Sequence, residues 1–401
     1  MSKVNNKILI CGAGPVGLAL AIEMALIGIQ VDIIEKKNGR DTFSKALSLN
    51  TSTLEHMEHL GIINTILDNA FINQKIYIHW QGNPLHRISL ANVPSKYPYF
   101  AMIPQFKTEE LLENRLNELG IKVQRGVELV SIQQHGNSVD AVLRENNLNR
   151  TNSKKYSYVI GCDGFNSSVR TLAGIEFTGF NFDASFTMFD APIKWGELSK
   201  KMIYSVFDNR FIIHIPMANN ISRIVIKTDN NISTKYNWQT SDYRNLLDKM
   251  GLSDLSFETP IWKSSAGIFN RLASKFSDKR VILAGDAAHA FSPIGGQGLN
   301  TGLLDVRELA WRLKECVECE NKSGLLKEYD LIRRTSATRV RDFTNTLTKL
   351  ILRTDRDPNG PLSYFLSSNK GNKFLKSELP LLLAGKQNQM SKVVISRSKV
   401  S

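Results

Sequence analysis

No run of about 18 apolar residues occurs anywhere in the 401-residue chain, so no segment is expected to span a bilayer. No leader pattern opens it either: the first apolar stretch, Ile8–Ile10, passes straight into glycines and not into a cleavage site. Cysteine is scarce. Of the four, Cys11 lies in a strand-like run, Cys162 beside a turn, and Cys316 and Cys319 form a single CxxC in the polar helical stretch ECVECE. Without a second pair there is no zinc framework and no disulfide scaffold to expect, and the usage fits a reducing cytoplasm. The histidines are dispersed, with no HExxH or comparable cluster, so neither a metal site nor a nucleophilic triad is anticipated. The formal charge is +13, but no Lys/Arg stripe interleaved with aromatics appears, which argues against a nucleic-acid partner. The excess reads as solvated surface. It would also attract a phosphate-bearing ligand or, at most, make peripheral contact with an acidic membrane face.

What is present is an ordinary globular composition, 42% apolar and 22% charged, with enough length for two or three packed units. Residues 8–35 read as strand, glycine turn, helix and strand, a βαβ unit with Gly28 closing the helix. A helix broken at Gly61 follows over 53–67, then strand-like residues near 75–100 at the rim of another sheet. An amphipathic helix is predicted over 107–119 with Thr108 as its N-cap. Strand-like segments follow at 121–130 and 138–144. Residues 175–270 change texture: MIYSVF, RFIIHIP and SRIVIKT alternate with turn residues, as in an antiparallel sheet. Short buried-strand character returns at 281–284, a long helix begins near Gly298, and the remainder is largely helical with a frayed end. The expected organisation is discontinuous: an α/β unit from 1–75, 100–175 and 270–315, an inserted β-sheet unit from 76–99 and 176–269, and a helical region over 316–401.

Three motifs carry chemistry. The first is Gly12-x-Gly14-x-x-Gly17, with Pro15 and Val16 in the turn. It follows a strand, opens a helix and precedes an acid, Glu35, with Lys36 beside it, which is the dinucleotide-binding arrangement. The glycines permit a tight turn and close approach of a pyrophosphate, the helix N-terminus offers free N–H groups, and the acid can accept from a ribose. The second is Cys162-Asp163-Gly164, followed by Arg170. The third is the Gly285-Asp286-Ala-Ala-His289 run continuing through Pro293, Gly295, Gly296, Gly298, Leu299 and Asn300. Its carboxylate can bind a polyol hydroxyl, and its nearly side-chain-free loop can lie flat on a large planar ring. A helix then points its positive end at that ring, which would stabilise an anionic reduced isoalloxazine. His289 reads as structural.

In this order and spacing, over essentially residues 5–350, the motifs resemble those of the class A flavoprotein monooxygenases of the para-hydroxybenzoate hydroxylase type. The resemblance implies an α/β fold: a FAD-binding Rossmann-like (GR2-type) domain with an inserted antiparallel β-sheet substrate domain and C-terminal helices. It implies FAD as cofactor, with NADPH or NADH as co-substrate visiting a surface groove. Gly12, Gly14, Gly17 and Glu35 would hold the adenosine half, Asp163 and Arg170 the pyrophosphate, Asp286 the ribityl chain, and the 293–300 loop the ring. Gln105 matches a family glutamine ahead of a helix, and Lys45 stands where the family often has a flavin-contacting arginine. Tyr329-x-x-x-Arg333-Arg334 and PLLLAG are similar to a subgroup acting on quinone precursors. Ending near residue 400, the chain is expected to lack the thioredoxin-like domain of longer phenol hydroxylases.

The implied reaction inserts one atom of O₂ into a phenolic, quinone-precursor or polyketide-like ring through a C4a-hydroperoxyflavin. The substrate is expected between the inserted sheet and the flavin loop. Tyr204, Phe207, Phe211, His214, Met217 and Arg223 are candidates there by position, though alternating aromatics in strands are commonly core. Pro293, Arg223 and His214 are the candidate catalytic positions. Oxidative inactivation of a tetracycline-like antibiotic is an alternative with the same flavin chemistry. A halogenase or prenyl reductase is another, although a halogenase's WxWxIP segment is absent. A FAD-binding redox module is the last. A cytoplasmic monomer or homodimer is expected.

Overall fold

The computed structural model describes residues 7–42, 46–146, 148, 150–207, 210–228, 239–319, 322, 324–353 and 368–386. Its first layer is a six-stranded sheet. Ile8–Cys11 lies between Val31–Glu35 and Tyr158–Gly161, parallel to both. Val281–Leu283 extends the parallel set beyond Tyr158–Gly161, and Ser277–Asp278 and Gln124–Arg125 form the edges. Ile8, Leu9 and Ile10 are wholly buried, as a strand covered on both faces requires. The Pro15–Leu26 helix covers one face and packs against the Gln105–Glu118 and Gln297–Glu318 helices.

This strand order positions the site. Ile8–Cys11, Tyr158–Gly161 and Val281–Leu283 lie side by side and parallel, so the turns after them meet along the carboxyl edge of the sheet. Those turns carry the three motifs.

The second layer is a large sheet running Trp262–Ala273, Phe177–Lys194, Ile221–Thr228, Arg210–Pro216, Met202–Phe207 and Lys75–Trp80, with Asn83–Ser89 beyond the last. Its pairings are antiparallel except for Met202–Phe207 beside Lys75–Trp80. One face packs on a core cluster containing Phe189, Ile224 and Ile226, closed by Tyr243 and Leu247 of the Thr240–Lys249 helix. That helix interrupts a stretch read from sequence as sheet alone. A capping box between Gln239 and Asp242 starts it.

A second departure concerns Thr108. The helix begins three residues earlier, at Gln105 after Pro104, so Thr108 is buried inside the first turn and caps nothing. Helices Gly324–Arg353, Asn369–Lys373 and Leu379–Leu383 follow, and the expected frayed end beyond 386 lies outside the described residues. Among the described residues no helix is long and apolar enough to cross a membrane.

Candidate active site

The glycine turn is held by contacts that only glycine permits. A Cβ on Gly12, whose φ is +100°, would lie 2.4 Å from the Cys162 carbonyl oxygen, and one on Gly17 would lie 1.9 Å from the Gly12 carbonyl oxygen. Gly12 therefore lets the second motif lie against the first, and Gly17 lets the helix close on its own turn. Gly14 differs: among the described residues nothing stands within 4 Å of its Cβ position, so it faces open space. It is the N-cap of the Pro15–Leu26 helix and makes no side-chain cap bond, which leaves the first-turn N–H groups available to an anion. Glu35 lines the same cleft, and its carboxylate accepts from Ala13 N–H and Lys37 N–H, both at 3.0 Å. It therefore also fastens the second strand to the turn. Lys36 lies exposed at the rim of the cleft.

Asp163 also organises backbone. It accepts from the Ser167 hydroxyl at 2.5 Å and from Val169 N–H at 3.1 Å, which secures the start of the short Ser168–Leu172 helix. Burial pushes its carboxyl above the ordinary range, against those hydrogen bonds. Arg170 needs a correction. Its guanidinium donates to the carbonyls of Ala287 (2.9 Å) and Phe165 (2.8 Å), stacks on Phe177, and does not line the cleft. It is a strut between the second and third motifs, turned away from where a pyrophosphate would lie.

Asp286 is presented differently. No hydrogen bond from the protein reaches its carboxylate among the described residues; protein packs around it, and it is accessible from the cleft. Burial raises its pKa. Beneath it lies a closed network: Asp305 accepts from Gly285 N–H at 3.0 Å, pairs with His289 Nε2 at 2.6 Å and accepts from Arg333 Nε at 2.7 Å. Tyr329 donates to the Leu283 carbonyl at 2.9 Å. His289 and Asp305 are fully buried, so His289 anchors the loop from below.

The loop from Pro293 to Leu299 is exposed along the cleft at Pro293 and leads into the Gln297–Glu318 helix through Gly296, at φ +64°. Asn300 lies behind the loop and latches it. Its amide donates to the Ser48 and Gly296 carbonyls at 2.9 and 2.7 Å, and its oxygen accepts from Asn50 N–H at 2.9 Å. Gln105 lines the cleft and donates to Glu109 at 2.8 Å. Lys45 lies outside the described residues.

Beyond the loop the cleft widens against the large sheet, where Phe186, Met188, Tyr204, Ile213, Val225 and Arg223 form the wall. Of the sequence candidates, Tyr204 and Arg223 line this wall. Phe211 packs behind Tyr204 in an apolar cluster. His214, a catalytic candidate from sequence, is corrected by strand parity: Ile213 and Ile215 face the cleft, so His214 faces the other side. There it meets the Lys201 carbonyl at 2.8 Å and the Trp195 ring, and burial lowers its pKa to about 4. Phe207 packs with the same opposite-face cluster, and Met217 is buried away from the lining.

These features fit FAD. Residues 12–16, 35–36, 163–164, 286 and 293–299 line one continuous cleft of about 530 Å³. Among the described residues, space is open at Gly14, Gly164 and Gly298, and none donates to the Asp286 carboxylate, which faces the cleft. Sequence reasoning missed Ser48, Asn50, Asp305 and Asp190, whose carboxylate accepts from Arg223. Only Asp305, an acid on the apolar face of a helix, left a signal.

Comparison with known proteins agrees. Residues 5–344 match the family described as FAD binding domain. An uncharacterized aromatic compound monooxygenase of Bacillus subtilis (YhjG) is 31% identical over 345 residues, covering 85% of this chain and 68% of that protein. The 6-methylpretetramide 4-monooxygenase of Streptomyces rimosus is 30% identical over 359 residues, covering 86% of this chain and 62% of its own length. The Diels-Alderase PyrE3 of pyrroindomycin biosynthesis superposes with a TM-score of 0.80 at 25% identity, over 95% of this chain and 80% of that one. The chain belongs to the FAD binding domain family, within the class A FAD-dependent aromatic monooxygenases.

Proposed function

We propose that the protein hydroxylates an aromatic, ring-fused substrate of the polyketide type, using NAD(P)H and O₂, with FAD held along the cleft. The observation that carries this reading is the continuity of the cleft, from the glycine turn to an apolar chamber on the far side of the 293–299 loop. A dinucleotide anchored at one end would place its ring beside a substrate at the other. FAD, when bound, would supply the redox chemistry: two electrons from a nicotinamide, with one atom of O₂ going to the substrate and the other to water. The chain supplies position and polarity. Gly12 would keep the turn tight, Gly14 would admit the pyrophosphate, and first-turn N–H groups of the Pro15–Leu26 helix, Val16 among them, would donate to it. Glu35 and Asp286, which line the cleft, would accept from ribose and ribityl hydroxyls. Pro293 and Leu299, which line the cleft, would lie by the ring, and the N-terminus of the Gln297–Glu318 helix would stabilise negative charge on it. Arg223 faces the reacting side. The protein works as a cytoplasmic monomer or homodimer on this reading.

The fold also serves a Diels-Alderase, so architecture alone does not select the reaction. The test must read oxidation. Protein reconstituted with FAD is expected to be yellow and to oxidise NADPH or NADH faster when a suitable compound from a phenol, naphthol, anthraquinone and tetracycline panel is added. One ¹⁸O atom from ¹⁸O₂ should appear in the product. Bound FAD that no nicotinamide reduces under any substrate would refute the reading. Inactivation of a tetracycline in the same panel would make the antibiotic the substrate.

A further inference from the structure

Among the described residues that line the cleft from the large sheet, Arg223 is the one charged side chain. The wall around it is apolar. Its guanidinium is bound in a fork: Nε donates to Asp190 Oδ1 at 2.7 Å and Nη2 to Oδ2 at 2.8 Å, across directly paired positions of neighbouring strands. The guanidinium carbon Cζ lies 4.4 Å from the centroid of the Trp262 ring. Arg223 is 2% exposed and Asp190 6%. A planar fork matches one carboxylate bidentately, and once that carboxylate is internal the fork is not presented to a ligand. Asp190 lies behind the lining, and the Arg223–Asp190 pair in contact carries no net charge. A carboxylated ligand entering this wall would lose its hydration without gaining an unopposed cation.

We propose that Asp190 is a specificity-determining residue: by pairing with Arg223 it makes the substrate chamber electrically neutral, so that it takes uncharged aromatic rings and excludes carboxylated ones. This deepens the monooxygenase reading and rests on it for placing the substrate against the sheet.

The test is calorimetric binding to the FAD-loaded protein, without turnover, of two probes that share a ring system: uncharged 2-naphthol and anionic 3-hydroxy-2-naphthoate. Wild type is expected to bind 2-naphthol about tenfold more tightly or better. Asp190→Asn leaves the wall net positive, and naphthoate affinity should rise about tenfold while 2-naphthol moves by less than about threefold. Asp190→Asn combined with Arg223→Gln is neutral again, and the ratio should return to that of wild type. Should Asp190→Asn fail to fold, Arg223→Gln alone leaves the wall net negative and must weaken naphthoate further. Wild type that binds naphthoate as tightly as 2-naphthol would overturn the proposal, as would a ratio unmoved by Asp190→Asn. NAD(P)H oxidation is measured separately. Turnover with unmoved binding ratios removes the role of Asp190 alone. Shifted ratios without turnover on any compound remove the monooxygenase reading and leave the charge argument standing.

Discussion

Gly14 and Gly17 share one turn, yet replacing each by alanine should fail in different ways. Gly14 has φ −75° and ψ −178°, a conformation open to alanine, and no atom within 4 Å of the new methyl. Restricting the unfolded chain gains about 0.4–1 kcal/mol, while alanine at an N-cap costs about 1 kcal/mol, so the apo-protein should melt within about 2 °C of wild type. The methyl nevertheless fills the space through which a pyrophosphate would approach. Losing one or two charge-assisted hydrogen bonds, at about 1.5–3 kcal/mol each, should weaken FAD on the order of 100-fold. At a FAD concentration about 100 times the wild-type Kd, the stabilisation lost is about 2–3 kcal/mol. In Gly17→Ala the methyl meets a backbone oxygen at 1.9 Å, so turn and helix must separate. That costs about 3 kcal/mol or more without any ligand. Thermal unfolding of both apo-proteins, with FAD titration followed by quenching of flavin fluorescence, separates the two cases. Gly14→Ala that binds FAD as wild type does, or that unfolds as Gly17→Ala does, would refute the reasoning.

Three further substitutions give signed outcomes. Asp286→Asn removes a carboxylate that the protein packed around it disfavours, although it is exposed to the cleft, and that no hydrogen bond from the described residues supports. The apo-protein's denaturation midpoint should therefore rise slightly, while FAD affinity falls about tenfold or more with the loss of a charged acceptor. His214 has its pKa lowered by burial to about 4, against the Lys201 carbonyl. Its stabilisation is complete above the unfolded value of about 6.5 and is lost as pH falls toward 4. His214→Leu should flatten the decline in urea midpoint between pH 7.5 and 5 and leave kcat/KM within about threefold of wild type, since the ring does not face the cleft. Burial raises the Asp305 carboxyl, but the charges of His289 and Arg333 and the hydrogen bonds outweigh it and hold it below the ordinary range. Asp305→Asn should cost about 3–5 kcal/mol at neutral pH by leaving Arg333 and His289 without their partner. Because a depressed carboxyl loses its contribution as pH falls below about 4, the midpoints of variant and wild type should converge in acid.

The local grammar of the site was legible. Gly12, Gly14 and Gly17 between a strand and a helix, and the run from Gly285 to Gly298, declare themselves because backbone geometry demands glycine over a few adjacent residues. What joins distant segments was not legible. The Asn300 latch reaches Ser48 and Asn50 across some 250 positions, and Arg170 spans 117 positions to Ala287. Nothing near an arginine in sequence says whether its fork closes on a phosphate or on a carbonyl. His214 was misplaced for a different reason. RFIIHIP is apolar on both faces, because one face meets the Trp195 cluster and the other the cleft. A strand covered twice shows no alternation from which to fix its phase. The Thr240–Lys249 helix was hidden by the strands around it, although Tyr243, Leu246 and Leu247 already stood at helical spacing.

The central strand, Ile8–Cys11, leaves the ribosome long before Tyr158–Gly161, and longer still before Val281–Leu283. Until those arrive, an apolar strand and its bare glycine bend have only Val31–Glu35 beside them. Capture of the cofactor is therefore a late event in biosynthesis, and the nascent chain must keep sticky β-edges from neighbouring chains for most of its synthesis. Low yields in rapid overexpression, relieved by slower translation or added chaperones, are the expected cost of assembling one cradle from three widely spaced bends.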